Sequence, residues 1–284
     1  MTEKDLHLLL PFFLSHRVKG QSEVRLDALS RIYLVLNDLA CVTSLRDYAG
    51  RAKIIRKIDM LYRAADRTSV GGLCRMYRLC KEAALAPYGE KDRECSELHD
   101  GLIGRYMERP DAAQEDDALR CIAYELGNIV DDDTESDYHP FYRMRATQWA
   151  AGLDADGCWK GLAPEKAVRR IGLLQEYGYA FRDSRFNGAV LRAYNYYKGL
   201  LSLSGNPASG SLPLLGAWYD LLRVPGILPY EPGLLGRIAG RMEKFAATAE
   251  PRSDAWYFAV SYAVVQCCTD IMDKVQREAM QNIA

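Results

Sequence analysis

The sequence lacks the patterns that most directly reveal an enzyme or a membrane protein. No segment approaches the run of about eighteen apolar residues that a membrane-spanning helix needs. The eight cysteines include no C-x-x-C pair and no combination of Cys and His at zinc-finger spacing. Runs with two-residue alternation, joined by Asn-Gly or Asp-Gly turns, are also missing. These absences argue against a membrane span, a zinc finger and a β-sheet protein.

The overall charge excludes little, because the net charge is only -1. Such a balance gives no bulk attraction to nucleic acid or to an anionic membrane. A compact fold of 284 residues can bury roughly three quarters of the surface of its unfolded chain, so no disulfide or metal is needed for stability. The apolar run at 8–14 follows Glu3 and Asp5 where a signal peptide would be positively charged. The sequence therefore predicts a soluble, cytoplasmic protein.

What the sequence does contain is helical periodicity over nearly its whole length. Apolar residues recur at steps of three and four from Trp256 to Val275, which places them on one stripe of a long helix. Similar stripes run through 54–62, 167–174 and 186–201. Pro164 followed by Glu165 is typical of the first turn of a helix. These patterns predict an all-α fold.

Glycine, proline and acidic clusters interrupt the periodicity at intervals of roughly fifteen to twenty-five residues. Helices of that length, joined by short breaks, predict an array of antiparallel helical hairpins. The array could be an α/α solenoid, a toroid or an irregular multi-helix bundle, and no segment aligns to a known helical repeat. We expect one all-α domain over residues 1–284, with the Gly/Ser/Pro-rich stretch 204–213 as the candidate sub-boundary.

Charged residues are distributed unevenly along the chain. Residues 51–81 contain nine basic and two acidic side chains, whereas residues 111–137 contain ten acidic side chains and one basic. Both segments could be solvated helix faces, and the sequence leaves open whether they pair with each other. In the basic segment Arg75 and Arg78 bracket Met76 and Tyr77, which makes both arginines candidates for anion binding. No nucleic-acid-binding module surrounds them, so we do not expect nucleic acid as the partner.

An alternative interpretation of the acidic residues is a metal site. Asp131, Asp132 and Glu135 follow an apolar helical run, and carboxylates at i and i+4 share a helix face. Far downstream, Asp270 and Asp273 lie in another apolar helix. Two such clusters on facing helices would bind Mg²⁺ and clamp a diphosphate. Otherwise the segment after residue 130 is a polar loop between helices, and no cofactor is expected.

These two acidic motifs resemble those of the isoprenoid synthase superfamily, whose helical bundle carries two aspartate-rich motifs. The resemblance implies a Mg²⁺ site formed by Asp131, Asp132, Glu135, Asp270 and Asp273. It also implies that Arg143 and Arg145 approach the diphosphate. The similarity covers only the two short motifs, and Thr269 stands where the second motif of the family has its first aspartate. Little chain follows Asp273, whereas the family continues through further helices.

Aromatic side chains supply another group of candidates, because the chain has 18 tyrosines and four tryptophans. In a concave helical array such rings could line a groove for peptides or glycans, although most will belong to the core. Tyr196 falls off the stripe of Tyr194 and Tyr197, so we expect it to reach a surface. The ligand-binding candidates are therefore Tyr194, Tyr196, Tyr197, Trp218, Arg75 and Arg78.

Two classes of function fit these observations. The sequence favours a helical scaffold that binds a protein partner or another ligand without catalysis, and it assigns no catalytic residue. The alternative is an all-α enzyme, either a Mg²⁺-dependent enzyme acting on a diphosphate or a carbohydrate-active α/α toroid with paired carboxylates. A concave groove lined by Tyr and Trp, with a carboxylate pair at its base, would favour the carbohydrate alternative.

Overall fold

The all-α prediction is confirmed by a computed structural model, which describes residues 1–42, 48–83, 89–126, 138–201, 203 and 211–281. Within these ranges the chain forms twelve α-helices and no strand. The helices are α1 (Glu3–Ser15), α2 (Glu23–Val42), α3 (Tyr48–Ala64), α4 (Val70–Glu82), α5 (Gly89–Glu108), α6 (Glu115–Leu126), α7 (Tyr138–Ala151), α8 (Pro164–Ala180), α9 (Asn187–Leu200), α10 (Leu212–Leu221), α11 (Pro232–Thr248) and α12 (Asp254–Gln281). None of the described helices combines the length and the apolar character needed to cross a bilayer.

Local sequence signals account for several of the helix ends. Helix α8 begins at Pro164, as the Pro-Glu pair predicts. Helix α4 begins after Ser69, whose hydroxyl accepts a hydrogen bond from the Gly72 amide at 3.1 Å. The apolar stripe that starts at Trp256 lies in α12. These ends are set by short-range chemistry and need no information about the rest of the fold.

Helices α2 and α12 are enclosed by protein on more than one side. In α2 every residue from Ile32 to Asn37 is buried, and in α12 every residue from Ala259 to Val265 is buried. A surface helix would bury only one stripe of its circumference. The odd-numbered helix α9 shows that simpler pattern, with buried residues that include Val190, Tyr194 and Tyr197.

The helices contact one another in a closed order. Helix α2 packs against α4, α4 against α6, α6 against α8, α8 against α10, α10 against α12, and α12 against α2. Each odd-numbered helix packs against one or two of these six. We call the even-numbered helices the inner ring. Among the three predicted arrangements, the closed order favours the toroid, because an open solenoid would leave its first and last inner helices without a mutual contact.

Five of the inner helices share a direction, because the N-terminal halves of neighbouring helices contact each other. Ion pairs join α2 to α12, α2 to α4, and α6 to α8. They are Arg25–Asp254 at 2.6 Å, Arg75–Glu23 at 2.5 Å and Arg170–Glu115 at 3.5 Å. The first turns of α4 and α6 also meet, since Gly71 lies against the Asp117 carboxylate. The C-terminal ends of these five helices therefore meet at the opposite end of the ring.

The buried apolar side chains form one cluster that runs from Leu6 in α1 to Cys268 in α12. Trp218 on α10 is fully buried and packs against Tyr194, with ring centroids 5.6 Å apart. Of the candidate sub-boundary at 204–213, residues 204–210 lie outside the described part of the chain, and α10 begins at Leu212.

A buried histidine gives the first testable prediction. His99 on α5 is fully buried, and neither ring nitrogen has a hydrogen-bond partner in the part of the chain that the structure describes. Burial lowers the pKa of His99 below its usual 6.5, which outweighs the opposing charges of Glu125 and Asp100. Because the unfolded chain binds the proton more readily, stability falls as the pH drops below 6.5.

We expect His99→Leu to raise the free energy of unfolding by about 1 kcal/mol at pH 7, since it removes an unsatisfied polar group. Urea denaturation at several pH values should also show a shallower loss of stability below pH 6.5 than in the parent. His7→Leu, at an exposed position, serves as the control and should change neither property. Destabilisation of His99→Leu by more than about 1 kcal/mol would contradict the prediction.

Candidate functional site

A cavity of about 530 Å³ lies inside the inner ring, and all six inner helices contribute to its wall. We call it the central cavity. Its wall combines acidic, basic and aromatic side chains. These are the carboxylates Asp38, Glu82, Glu176 and Asp220, the arginines Arg31, Arg78, Arg120 and Arg223, and the tyrosines Tyr124, Tyr179 and Tyr219.

All four carboxylates stand near the C-terminal ends of inner helices. Glu82 is the last residue of α4, and Asp220 is the last but one of α10. Asp38 and Glu176 each lie four residues before the end of their helices, α2 and α8. The end of a helix carries a partial negative charge, so cations and not carboxylates stabilise this position. Helix stability therefore does not explain these four acidic residues.

Two of the carboxylates are oriented by tyrosine hydroxyls. The Tyr124 hydroxyl donates a hydrogen bond to Glu82 Oε1 at 3.0 Å, and the Tyr262 hydroxyl donates one to Asp220 Oδ2 at 3.0 Å. Both bonds cross between inner helices, from α6 to α4 and from α12 to α10. Each bond restricts the rotation of a carboxylate that faces the cavity, as a preorganised site requires.

The other two carboxylates, Asp38 and Glu176, form no hydrogen bond or ion pair with any residue that the structure describes. Burial raises the pKa of Glu176 above its usual value, and Glu82 raises it further, against the opposing charge of Arg120. Burial likewise raises the pKa of Asp38, again with a contribution from Glu82 and against Arg223. Both groups therefore keep their protons to a higher pH than an exposed carboxyl group does, which is the direction that a general acid needs.

The four cavity arginines supply positive charge near these carboxylates. Burial opposes the charge on Arg120, but the nearby Glu176 carboxylate keeps the pKa of Arg120 above its usual value. In the described ranges, none of the four cavity arginines forms an ion pair with any of the four cavity carboxylates. Charges of both signs thus face the cavity and are available to a ligand.

The aromatic candidates from the sequence lie elsewhere. Tyr194, Tyr197 and Trp218 are buried in the core. The Tyr194 hydroxyl donates to Glu231 at 2.5 Å, and the Tyr197 hydroxyl accepts from the Trp159 amide at 3.1 Å. Tyr196 is half-buried, with its ring against Tyr197. None of these four residues lines the central cavity.

The two arginine candidates differ in their positions. Arg75 is buried and donates to Glu23 and Asp27, at 2.5 and 2.9 Å. Its ion pairs join α4 to α2, so a structural role accounts for this arginine. Arg78, one turn further along α4, lines the central cavity. The sequence therefore identifies one residue of this cavity among its ligand-binding candidates.

The structure describes only some of the proposed metal ligands. Asp131, Asp132 and Glu135 lie outside the described residues. Asp270 and Asp273 are exposed on α12 and line a separate cleft of about 330 Å³ between α11 and α12, beside Glu243. In the described part of the chain, no group of three or more His, Cys, Asp or Glu residues is arranged to hold a metal ion.

The two arginines that would approach a diphosphate make other contacts. Arg143 Nε donates to the Tyr177 hydroxyl at 3.3 Å. Arg145 forms an ion pair with the buried Glu115. Since Asp131, Asp132 and Glu135 are not described, the Mg²⁺ site remains a prediction.

The basic and acidic segments do not pair through the residues that are described. Ion pairs of the basic segment connect it mainly to α2 and α5, as in Arg67–Glu94 at 2.6 Å and Lys81–Asp92 at 3.2 Å. In the described ranges, none of the segment's ion pairs involves an acidic side chain from 111–126.

Sequence reasoning missed the four cavity carboxylates, although a signal for two of them exists. Asp38 lies four residues after Leu34 and three after Val35, and it therefore shares the face of these cavity-lining residues. Glu176 similarly follows the buried Leu173 and Leu174. A carboxylate that closely follows an apolar stretch within a helix is the pattern that could have identified them.

Comparison of the chain with models of protein families, with curated proteins and with solved structures gives no match. The chemistry of the central cavity is therefore the basis for the functional proposal.

Proposed function

We propose that the central cavity binds a carbohydrate and that the protein cleaves a glycosidic bond there. The supporting observation is that Glu82 and Glu176 both line this cavity and that the charge of Glu82 acts on Glu176. We call these two residues the carboxyl pair. Burial and the Glu82 charge favour the protonated form of Glu176 by raising its pKa, while the Tyr124 hydroxyl fixes Glu82. Two carboxyl groups in different environments are what acid–base cleavage of a glycoside requires.

The size and lining of the cavity favour a small polar ligand with many hydroxyl groups. Its volume of about 530 Å³ lies within the usual range for small-molecule sites. Carboxylates accept hydrogen bonds and guanidinium groups donate them, and a sugar hydroxyl can do both. Tyr179, with 62% of its surface exposed, offers an aromatic ring at the cavity for packing against a sugar ring.

In the proposed reaction Glu176 donates its proton to the glycosidic oxygen as the bond between that oxygen and the sugar carbon breaks. Glu82 accepts a proton from the water molecule whose oxygen bonds to the same carbon. One water is consumed, and proton exchange with solvent returns Glu176 to its acid form and Glu82 to its carboxylate form. The Tyr124 hydrogen bond keeps the Glu82 carboxylate oriented during this step.

The scaffold without catalysis, which the sequence favours, would use the same cavity. A binding module, however, does not require an unpaired carboxyl group of raised pKa beside a second carboxylate. Asp270 and Asp273 line a different cleft, so the Mg²⁺ and diphosphate alternative would need a second site. The carboxyl pair is therefore the reason to prefer the carbohydrate-active alternative.

The test is hydrolysis of a panel of oligosaccharides and aryl glycosides, measured as release of reducing ends or aryl alcohol. We expect cleavage of at least one glycoside and a large loss of this activity in Glu82→Gln. Asp273→Asn, which changes a carboxylate outside the cavity, should keep full activity. Binding of a sugar without cleavage would support the non-catalytic module, and cleavage unaffected by Glu82→Gln would contradict the assigned roles.

A further inference from the structure

Arg78 and Arg120 differ from the other arginines of the central cavity. Arg31 donates to Ser261 at 3.1 Å, and Arg223 donates to Thr269 at the same distance. Arg120, by contrast, has no hydrogen bond or ion pair with any residue in the described part of the chain. Its guanidinium group is therefore held near carboxylates without contacting one.

Arg78 is also incompletely paired. Its Nε and Nη2 atoms are buried and have no hydrogen-bond partner among the described residues. The Asp27 carboxylate lies 3.9 Å from Nη2 and already accepts a hydrogen bond from Arg75 at 2.9 Å. A buried guanidinium group without a close partner destabilises a fold, so packing alone does not explain Arg78.

The two arginines belong to one region of the cavity wall. They lie on α4 and α6, which pack against each other. Both positive charges act on the Tyr124 hydroxyl and oppose the rise of its pKa that burial causes. Two like charges beside one side chain repel each other, and an anion bound between them would offset that repulsion.

The charges of the wall are consistent with an anionic ligand. Four arginines and four carboxyl groups line the cavity, and burial raises the pKa of both Asp38 and Glu176. Protonation of either carboxyl group leaves the wall with a net positive charge. An anionic group on the ligand would reduce that excess.

We propose that the carbohydrate carries an anionic group, a carboxylate or a sulfate, and that Arg78 and Arg120 bind it. This inference rests on the proposed function and narrows its substrate class to acidic sugars. The planar guanidinium group offers paired N–H donors that match both kinds of oxyanion. A bound anion beside Arg120 would also help to keep the neighbouring Glu176 protonated, because a nearby negative charge disfavours a second one.

The test is calorimetric binding of glucose, glucuronic acid and glucose 6-sulfate, with the corresponding galactose series, at neutral pH. The sugars of each series share one ring and differ at the sixth carbon. We expect at least one acidic sugar to bind about tenfold or more tightly than its neutral counterpart, as for a charged hydrogen bond. The ratio of the carboxylate to the sulfate identifies the preferred anion.

Arg120→Gln should lose this preference for acidic sugars, because the acidic sugar loses more affinity than its neutral counterpart. Arg120→Lys, which keeps the charge but not the paired donors, should retain an intermediate preference and also covers the case in which the glutamine variant does not fold. Arg237→Gln changes an exposed arginine on α11 and is the matched control. Equal binding of neutral and acidic sugars would overturn the anion site but not the proposed function, whereas no binding by either class would contradict both.

Discussion

Replacing Glu176 by glutamine is expected to reduce glycoside cleavage by about 100- to 10,000-fold, the usual contribution of a general acid. Glutamine keeps the size of the side chain and its place on α8 but has no acidic proton to donate. The structure makes Glu176 the natural proton donor, because burial and the Glu82 charge raise its pKa. The measurement is the initial rate of cleavage of the best substrate from the glycoside panel.

The same substitution should make the protein more stable at neutral pH. Because the pKa of Glu176 is higher in the folded than in the unfolded chain, the folded state is penalised as the pH rises above the usual value of 4.5. Glutamine removes this penalty. We expect a gain of about 0.5–2 kcal/mol at pH 7, typical of relieving a functional site, and almost none at pH 4.

Activity and stability together distinguish a catalytic carboxyl group from a structural one. If Glu176 had a structural role, the substitution would lower the stability of the protein. If Glu176 had no role, the substitution would change neither the rate of cleavage nor the stability. Asp273→Asn is the control for both measurements, because Asp273 is exposed on α12 outside the central cavity. Unchanged cleavage by Glu176→Gln would contradict the role of Glu176. So would a change in stability, relative to the parent, that is less favourable at pH 7 than at pH 4.

Glu115→Gln should have the opposite effect on stability and lower the free energy of unfolding by about 3–5 kcal/mol. Glu115 is buried and forms ion pairs with Arg145 and Arg170. The Arg170 guanidinium group also lies 4.6 Å from the ring centroid of Trp149. Glutamine would leave two partly buried guanidinium groups without their shared carboxylate. Urea denaturation at pH 7 measures the loss.

The control is Glu278→Gln, which removes an exposed pair with Lys274 on α12 and should change stability by less than about 1 kcal/mol. A loss of less than about 1 kcal/mol in Glu115→Gln would show that this ion-pair cluster does not stabilise the fold. Comparison with Glu176→Gln gives the same substitution at two carboxyl groups, one paired and one unpaired, with opposite expected signs.

The helices could be predicted from the sequence, but their closed order could not. The apolar stripe from Trp256 shows that α12 needs a partner surface, and Pro164 marks the start of α8 because a first-turn proline loses no hydrogen bond. Such signals act within a few residues. The packing of α12 against α2, which closes the ring, joins segments more than 200 residues apart, as the Arg25–Asp254 pair does.

The site was harder to predict for a related reason. Local groups of aromatic residues such as Tyr194 and Tyr197 suit a buried core as well as a ligand groove, and the structure has them in the core. The cavity carboxylates Asp38, Glu82 and Glu176 come from three different helices, so no local spacing relates them. Arg78 could be named as an anion-binding candidate because residues 51–81 are unusually basic, which can be counted directly in the sequence.

The most direct test of the central cavity as the functional site is a thermal-shift measurement with a panel of neutral and acidic saccharides, on the parent and on Ala180→Trp. Ala180 is an exposed residue at the end of α8 and lines the cavity, so tryptophan would take up part of the space that a ligand needs without removing a charge. A ligand that binds only the folded state raises the melting temperature. We expect at least one saccharide to stabilise the parent and not Ala180→Trp. Equal stabilisation of both proteins, or of neither by any saccharide, would contradict the account.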